Sequence, residues 1–229
     1  MLTFLTTQNF NCVTDYALEK INSVNLDKLK IYFDNLPVDP YLKENYRFRR
    51  LSHFQVDSNR LIKLPHNRFF QSKEYNPLLG NVVREYPEVD DAMVELEDFQ
   101  KILLEFFEFC QLCSTFNEIG VHQIRTITSH QQIGNPAPEG IHRDGVDLVG
   151  IFCVNRDKIV GGETHLYTSK DEPPVFKKIL NPGEFLVFND HHFFHFTSSI
   201  QVIASDIGIR DVFVFTCPGL VAKARACEV

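Results

Sequence analysis

From residue 120 to residue 217 the chain is a succession of short apolar or alternating runs separated by turn residues: VHQIRTIT, DLVGIFCV, THLYTS, GEFLVFN, FFHFTSS and RDVFVFTC. Runs of this length, rich in β-branched and aromatic residues and bounded by Gly, Asn and Asp, read as strands. Their spacing predicts antiparallel pairing. Several such strands with helices laid against them fit a jelly roll, a double-stranded β-helix of cupin type whose open mouth is a usual place for a ligand. Glycine and proline clusters at 134–140 and 161–162 put loops at that mouth. The first, within HQQIGNPAPEG, is long enough for a flap and equally suits a plain surface loop.

The preceding 119 residues are patterned differently. Thr14 or Asp15 can cap a helix carrying Tyr16, Ala17, Leu18 and Ile21, and a second short helix is expected over Leu26, Leu29, Ile31 and Phe33, ended by Pro37 and Pro40. Asp90 and Asp91 open the longest periodic stretch, with Leu96, Phe99, Leu103, Phe106 and Cys110 at spacings of three and four, which predicts one helix backing the sheet. The expected fold class is therefore α+β, mostly β. A jelly-roll core over 120–217 follows helical and substrate-side elements over 1–119, in one domain of 229 residues. There is no internal repeat and no low-complexity segment to suggest a solenoid or propeller.

Composition narrows the function classes. Twenty-one phenylalanines and no tryptophan make phenylalanine the main core-filling residue. A net charge of -7 lacks the basic footprint of a nucleic-acid binder, so a small-molecule or protein partner is expected. The N-terminal MLTFLTTQNFNCVTDY has no basic region followed by an apolar core, and no stretch is apolar for the length of a membrane span. A cytoplasmic protein without membrane contact is expected; oligomeric state is left open. The cysteines at 12, 110, 113, 153, 217 and 227 follow no disulfide or zinc-finger spacing and read as free thiols. Cys110 and Cys113 do form a C-x-x-C, but inside the helical run FFEFCQLC, where core packing is the ordinary use.

Three short motifs carry chemistry. His142-Arg143-Asp144 places an imidazole and a carboxylate two residues apart, which on extended backbone share a face and can reach one metal. With 9 histidines and 30 acidic residues in 229, chance alone supplies about one His-x-Asp/Glu, so the triplet needs support. It comes from GEFLVFNDHHFFHFTSS, where His195 follows an apolar strand. Two histidines and one carboxylate leave open positions suited to ferrous iron and a chelating cosubstrate. His191 and His192 follow Asn189-Asp190 in a turn and read as solvated. In IRDVFVFTC, alternation puts Arg210, Val212, Val214 and Thr216 on one face, so Arg210 needs a carboxylate partner. An internal ion pair and a bound dicarboxylate both satisfy that need.

This order of elements resembles the iron and 2-oxoglutarate oxygenase superfamily. More closely, the chain resembles the bacterial family that contains L-isoleucine 4-hydroxylase, related hydroxylases of free aliphatic amino acids and a biofilm-stress protein. The resembling segments are RFRRLSHF, RFFQSKEYN, GVHQIRT, GIHRDG, IVGGETHLY, GEFLVFNDHHFFH and RDVFVFTC, in one order. The resemblance implies iron(II) ligation by His142, Asp144 and His195, and binding of 2-oxoglutarate by Arg210, with oxygen as co-reactant and ascorbate as an accessory reductant. The gap from His195 to Arg210 is longer than the superfamily's commonest one, a difference in loop length rather than chemistry. Asp144 stands where related halogenases lack a carboxylate. The implied activity is hydroxylation of a small substrate, a free aliphatic L-amino acid, coupled to decarboxylation of 2-oxoglutarate to succinate.

A free amino acid carries a carboxylate that cannot be buried unpaired. Candidate partners are Arg125 on HQIR, Arg47 and Arg49 in RFRR, and Gln123, which alternates onto the face of Arg125. Each of these side chains could equally serve surface solvation, a structural ion pair or a satisfied core amide. Gln71, Ser72 and Tyr75 lie in a loop whose composition ordinarily serves structural hydrogen bonds. Two other classes fit the motifs: a metal-dependent cupin-like enzyme without an oxoacid, which leaves Arg210 unexplained, and a noncatalytic metabolite-binding protein.

Overall fold

A computed structural model describes residues 16–57, 60–204 and 206–221 of the chain. Thr14, Asp15, Cys12 and Cys227 lie outside the described residues. The strands are β1 (Tyr16–Lys20), β2 (Arg47–Asp57), β3 (Arg60–Lys63), β4 (Glu118–Ser129), β5 (Leu148–Asp157), β6 (Ile159–Gly161), β7 (Glu163–Tyr167), β8 (Phe176–Ile179), β9 (Glu184–Asn189), β10 (Phe194–Thr197), β11 (Ile200–Val202) and β12 (Ile207–Cys217). The helices are α1 (Leu26–Lys30), α2 (Asp91–Val94) and α3 (Glu97–Cys113), with a 3-10 turn at Ile31–Phe33.

Seven strands form one antiparallel sheet in the order β1-β9-β5-β12-β4-β2-β3, and a smaller sheet β10-β7-β8 forms the second wall of the jelly roll. The pair β6 and β11 continues the smaller wall. Between β6 and β7 the chain bends at Gly161 and Gly162, with φ of 77° and 69°. A side chain on Gly161 would run into the Ser199 carbonyl at 2.2 Å, so the bend depends on glycine.

Alternation gives the large sheet two unlike faces. On one, Phe152, Phe185, Phe213 and Phe215 pack against Phe99 and Phe106 of α3. Gly150 lets the Phe106 ring approach: a Cβ there would lie 2.8 Å from it. On the other face, Val149, Ile151, Leu186 and Phe188 meet Leu166, Phe176 and Phe193 from the smaller wall. Each fully buried phenylalanine contributes roughly 1.5–3 kcal/mol of transfer free energy. A bulge in β5 shifts the register against β12 between Asp211 and Val212 and sets Asn155 opposite Asp211.

Two helical expectations are corrected. Residues 16–20 form a strand, not a helix: β1 pairs with β9 from Tyr16↔Phe188 to Lys20↔Glu184, and its faces divide between the two cores, Ala17 in one and Tyr16 and Leu18 against the other. Backbone pairing and two-sided burial outweigh the helix propensity of Ala, Leu, Glu and Lys. The long helix expected from Asp90 is split, because Leu96 turns extended at ψ 127° between α2 and α3. Gln100 then donates to the Val94 carbonyl at 2.9 Å. The short helix over Leu26–Phe33 is present as α1 and its 3-10 turn, with Leu29 and Phe33 buried. Among the described residues no helix is long and apolar enough to cross a membrane.

Candidate active site

The pocket lies between the two walls. Into it point His122, Ile124 and Thr126 of β4, Arg210, Val212 and Val214 of β12, and Arg47 and Arg49 of β2. These side chains alternate along adjacent strands in register, as with Arg49↔Ile124 and Arg47↔Thr126.

His142 and His195 face each other through a reciprocal backbone bridge, the N–H of His142 donating to the His195 carbonyl at 3.0 Å and that of His195 to the His142 carbonyl at 2.8 Å. This bridge brings the ring centres to 4.1 Å, with the ring planes tilted by 52°. Asp144 sits 3.7 Å from each ring, Oδ1 to Nε2 of His142 and Oδ2 to Nε2 of His195. One ligand atom from each of the three residues lies within 4.8 Å of the others. The His142 Nδ1–H donates to the Gly140 carbonyl at 2.8 Å, which leaves the Nε2 lone pair for a metal.

Electrostatics suit a cation here. Burial, and then His142, hold His195 well below the ordinary histidine range, so it is neutral, the form that ligates. Burial lowers His142, but the charges of Glu139 and Asp144 outweigh it and leave the pKa raised. Glu139 lies 3.4 Å from the same Nε2.

Asp144 is held from two sides. The backbone N–H groups of Asp144, Gly145 and Val146 all donate to the buried carboxylate of Asp190, at 2.7–3.1 Å. Burial and the Asp144 charge push the Asp190 pKa up, while these N–H groups pull it down. Gln71 donates to Asp144 Oδ1 at 2.8 Å. Tyr75 packs on Gly145, whose φ of 82° and missing side chain admit the ring. The Ser72 hydroxyl is buried without a described partner.

Arg210 lines the same pocket and is 4 % exposed, yet no carboxylate among the described residues lies within ion-pair distance of its guanidinium. Burial lowers its pKa to about 10, so it stays cationic at neutral pH.

The other sequence candidates separate. Arg125 and Gln123 share a face, as expected, but it is the helix-side face and not the pocket. Arg125 donates to both oxygens of Asp211 at 2.7 and 3.0 Å and to Asp34 at 2.9 Å, and Gln123 donates to the Tyr32 carbonyl at 3.0 Å. Arg47 faces the pocket but is closed by Asp39, with Nε and Nη2 each 2.8 Å from Oδ2. Arg49 faces it without a carboxylate, its Nη2 against Nδ1 of a His122 kept neutral by burial and by Arg49 itself. His191 and His192 lie in an Asx turn made by Asn189 and take no part in the cluster. Cys110 is buried in α3 and Cys113 half-buried, both as free thiols. Sequence reasoning passed over Asp190 and Arg84, the latter 1 % exposed on the pocket wall. Neither sits in a local pattern, since their partners are distant in the chain.

A jelly roll carrying two imidazoles and one carboxylate, with an open side and a buried cation nearby, has the donor set of a ferrous dioxygenase. The chain belongs to the 2OG-Fe dioxygenase family, whose model matches residues 30–216. Enzymes of this family use iron(II), 2-oxoglutarate and oxygen. The chain is 27% identical over 209 residues to L-isoleucine-4-hydroxylase of Bacillus thuringiensis, covering 88% of this chain and 86% of that one. It is 26% identical over 148 residues to 3(1)-hydroxy-L-isoleucine 4-dioxygenase of Pantoea ananatis, covering 61% and 59%. Among solved structures, a bsmA homologue from Methylobium petroleophilum aligns with a TM-score of 0.74 at 26% identity, over 83% of this chain and 79% of that one. IDO from Bacillus thuringiensis aligns with a TM-score of 0.69 at 24% identity, over 83% and 81%.

Proposed function

We propose that this dioxygenase hydroxylates a free aliphatic L-amino acid at an unactivated carbon, with iron held by His142, Asp144 and His195 and the far carboxylate of 2-oxoglutarate held by Arg210. The carrying observation is Arg210: a buried guanidinium, unpaired among the described residues, in the pocket that also contains the three ligand atoms. A buried cation without a partner is costly, and a dicarboxylate that also reaches the metal removes the cost. The relatives named for isoleucine and hydroxyisoleucine oxidation support the substrate class.

When bound, iron(II) with 2-oxoglutarate and oxygen supplies the oxidising power that replaces a C–H hydrogen by hydroxyl, with release of succinate and carbon dioxide. The protein orients and shields. Gly140 fixes the His142 tautomer, Gln71 and Asp190 hold Asp144 and its backbone, and Arg210 on the pocket lining would hold the far carboxylate of the oxoacid. Val212, Val214 and Ile151 exclude water around it.

The test is to incubate the protein with iron(II), ascorbate, 2-oxoglutarate and a panel of free amino acids. One amino acid should gain a single oxygen atom in proportion to succinate formed. If a peptide, lipid or acylated amino acid gave both signals while no free amino acid did, the substrate class would be wrong and the oxygenase chemistry would stand.

A further inference from the structure

Besides Arg210, the pocket holds a second concentration of positive charge. Arg49 and Arg84 are 7 % and 1 % exposed, both line the pocket, and among the described residues neither has a carboxylate within ion-pair distance. Their Nε atoms are buried without partners. The guanidinium of Arg84 stacks 4.3 Å from the centre of the Phe69 ring; that of Arg49 lies 4.5 Å from Tyr86 and 5.3 Å from Phe69. Aromatic faces stabilise such cations by only about 0.5–2 kcal/mol each, less than burying a charge costs. Arg47 beside them shows the alternative, since Asp39 neutralises it. Three arginines on one wall, one paired and two not, leave room for an anion.

Arg84 also reaches the metal cluster through one side chain. Its Nη2 donates to Gln71 Oε1 at 3.0 Å, and Asn76 Nδ2 donates to the same oxygen at 3.3 Å. With its oxygen occupied by two donors, the Gln71 amide has one orientation, and its nitrogen faces Asp144, donating to Oδ1 at 2.8 Å.

Resting on the oxygenase reading above, we infer that Arg49 and Arg84 form the seat of the prime substrate's carboxylate, and that Gln71 is a positioning residue tying that seat to Asp144. A carboxylate between the two guanidinium groups supplies the missing counter-charge. It also alters the pull of Arg84 on Gln71, so occupancy of the seat is felt at the metal's carboxylate ligand. The seat and Arg210 are separate anion sites in one pocket, which lets the enzyme hold the oxoacid and the substrate together without either carboxylate competing for the other's cation.

The experiment uses the full chain loaded with Co(II) and 2-oxoglutarate, and reads calorimetric binding together with the Co(II) visible spectrum. Probes are a panel of free L-amino acids, other monocarboxylic acids and the amides of the amino acids. Wild type should bind an amino acid with a spectral change and bind its amide much more weakly. Arg49→Met and Arg84→Met should weaken the acid by about 10- to 100-fold, as expected for a lost charge-assisted contact, and leave 2-oxoglutarate affinity within about threefold. Arg49→Lys and Arg84→Lys, which keep the charge, should recover part of the loss and serve if a methionine variant fails to fold. Gln71→Leu should bind the acid but lose the spectral change. Equal binding of acid and amide, or unaltered acid binding in all four arginine variants, overturns the seat. So does the absence of binding by every carboxylate in the panel while Co(II) and 2-oxoglutarate still bind. A spectral change that persists in Gln71→Leu overturns the tie to Asp144. Failure of wild type to bind 2-oxoglutarate at all overturns the underlying functional reading instead.

Discussion

Arg210 and Asp211 are consecutive residues of β12 whose charges serve opposite faces of one sheet. Asp211 points to the helix side, where Arg125 donates to both its oxygens and Asn155 adds a third contact at 3.2 Å. Arg210 points into the pocket, where no described carboxylate answers it. The period of two along a strand produces this division, and it separates a closed ion pair from an open one.

The open charge gives the first prediction. Arg210→Lys should raise the apparent KM for 2-oxoglutarate far more than that for the prime substrate, because an ammonium cannot make the two-pronged contact of a guanidinium. Arg210→Met, which removes a buried uncompensated cation, should abolish 2-oxoglutarate binding yet leave the urea midpoint of the ligand-free protein unchanged or higher. A lower midpoint with unchanged oxoacid dependence would show that Arg210 is part of an internal ion pair.

The closed charge predicts the opposite behaviour. Arg125→Ala strands the fully buried Asp211 carboxylate and should cost about 3 kcal/mol of unfolding free energy, measured by urea titration. Asp34, 68 % exposed, contributes little to that figure. The KM values of the folded fraction should not move. A selective rise in substrate KM without destabilisation would return Arg125 to the active site.

How far the sequence reaches can be judged from these same residues. The strands of the core were legible because alternation and turn residues are local, and His142, Asp144 and His195 because a period of two and an ordered resemblance point to them together. Alternation also showed that Gln123 and Arg125 share a face. It could not show which face meets the pocket, because the deciding partner, Asp211, is 86 residues away. β1 shows the same limit: its pairing partner β9 lies far along the chain, and YALEK alone favours a helix. Asp190, reached by the backbone of residues 144–146 from more than forty positions away, has no local signature at all.

A pH prediction rests on His53, which is 3 % exposed with Nε2 unpartnered among the described residues. Burial, and then His66, lower its pKa from 6.5 to about 4. The unfolded chain therefore binds more protons than the native one between these values, so stability is complete above pH 6.5 and falls as pH drops toward 4. The His53 share of that slope approaches about 1.4 kcal/mol per pH unit. His53→Gln should flatten the fall in urea stability between pH 6.5 and 5, while the buried His122, shifted the same way, keeps some slope in both proteins. Identical slopes in variant and wild type would exclude His53 as a contributor.

The last prediction concerns the metal. His142→Ala, Asp144→Ala and His195→Ala should each abolish stoichiometric iron(II) binding and turnover while leaving the circular dichroism spectrum nearly unchanged, because ligands at an open site contribute to chemistry more than to packing. His191→Ala and His192→Ala should do neither, their backbone N–H groups being held by Asn189 whatever the side chain. Asp190→Asn makes the finer test. Asp190 touches no ligand atom of Asp144, yet it accepts the N–H groups of residues 144, 145 and 146, and an amide nitrogen turned toward those donors cannot accept from them. The loop that presents Asp144 should loosen, and iron affinity should fall about 10- to 100-fold, the usual cost of losing a group that holds a ligand in place. If Asp190→Asn bound iron as wild type does while His192→Ala did not, the assignment of ligands and of the group that holds them would both be wrong.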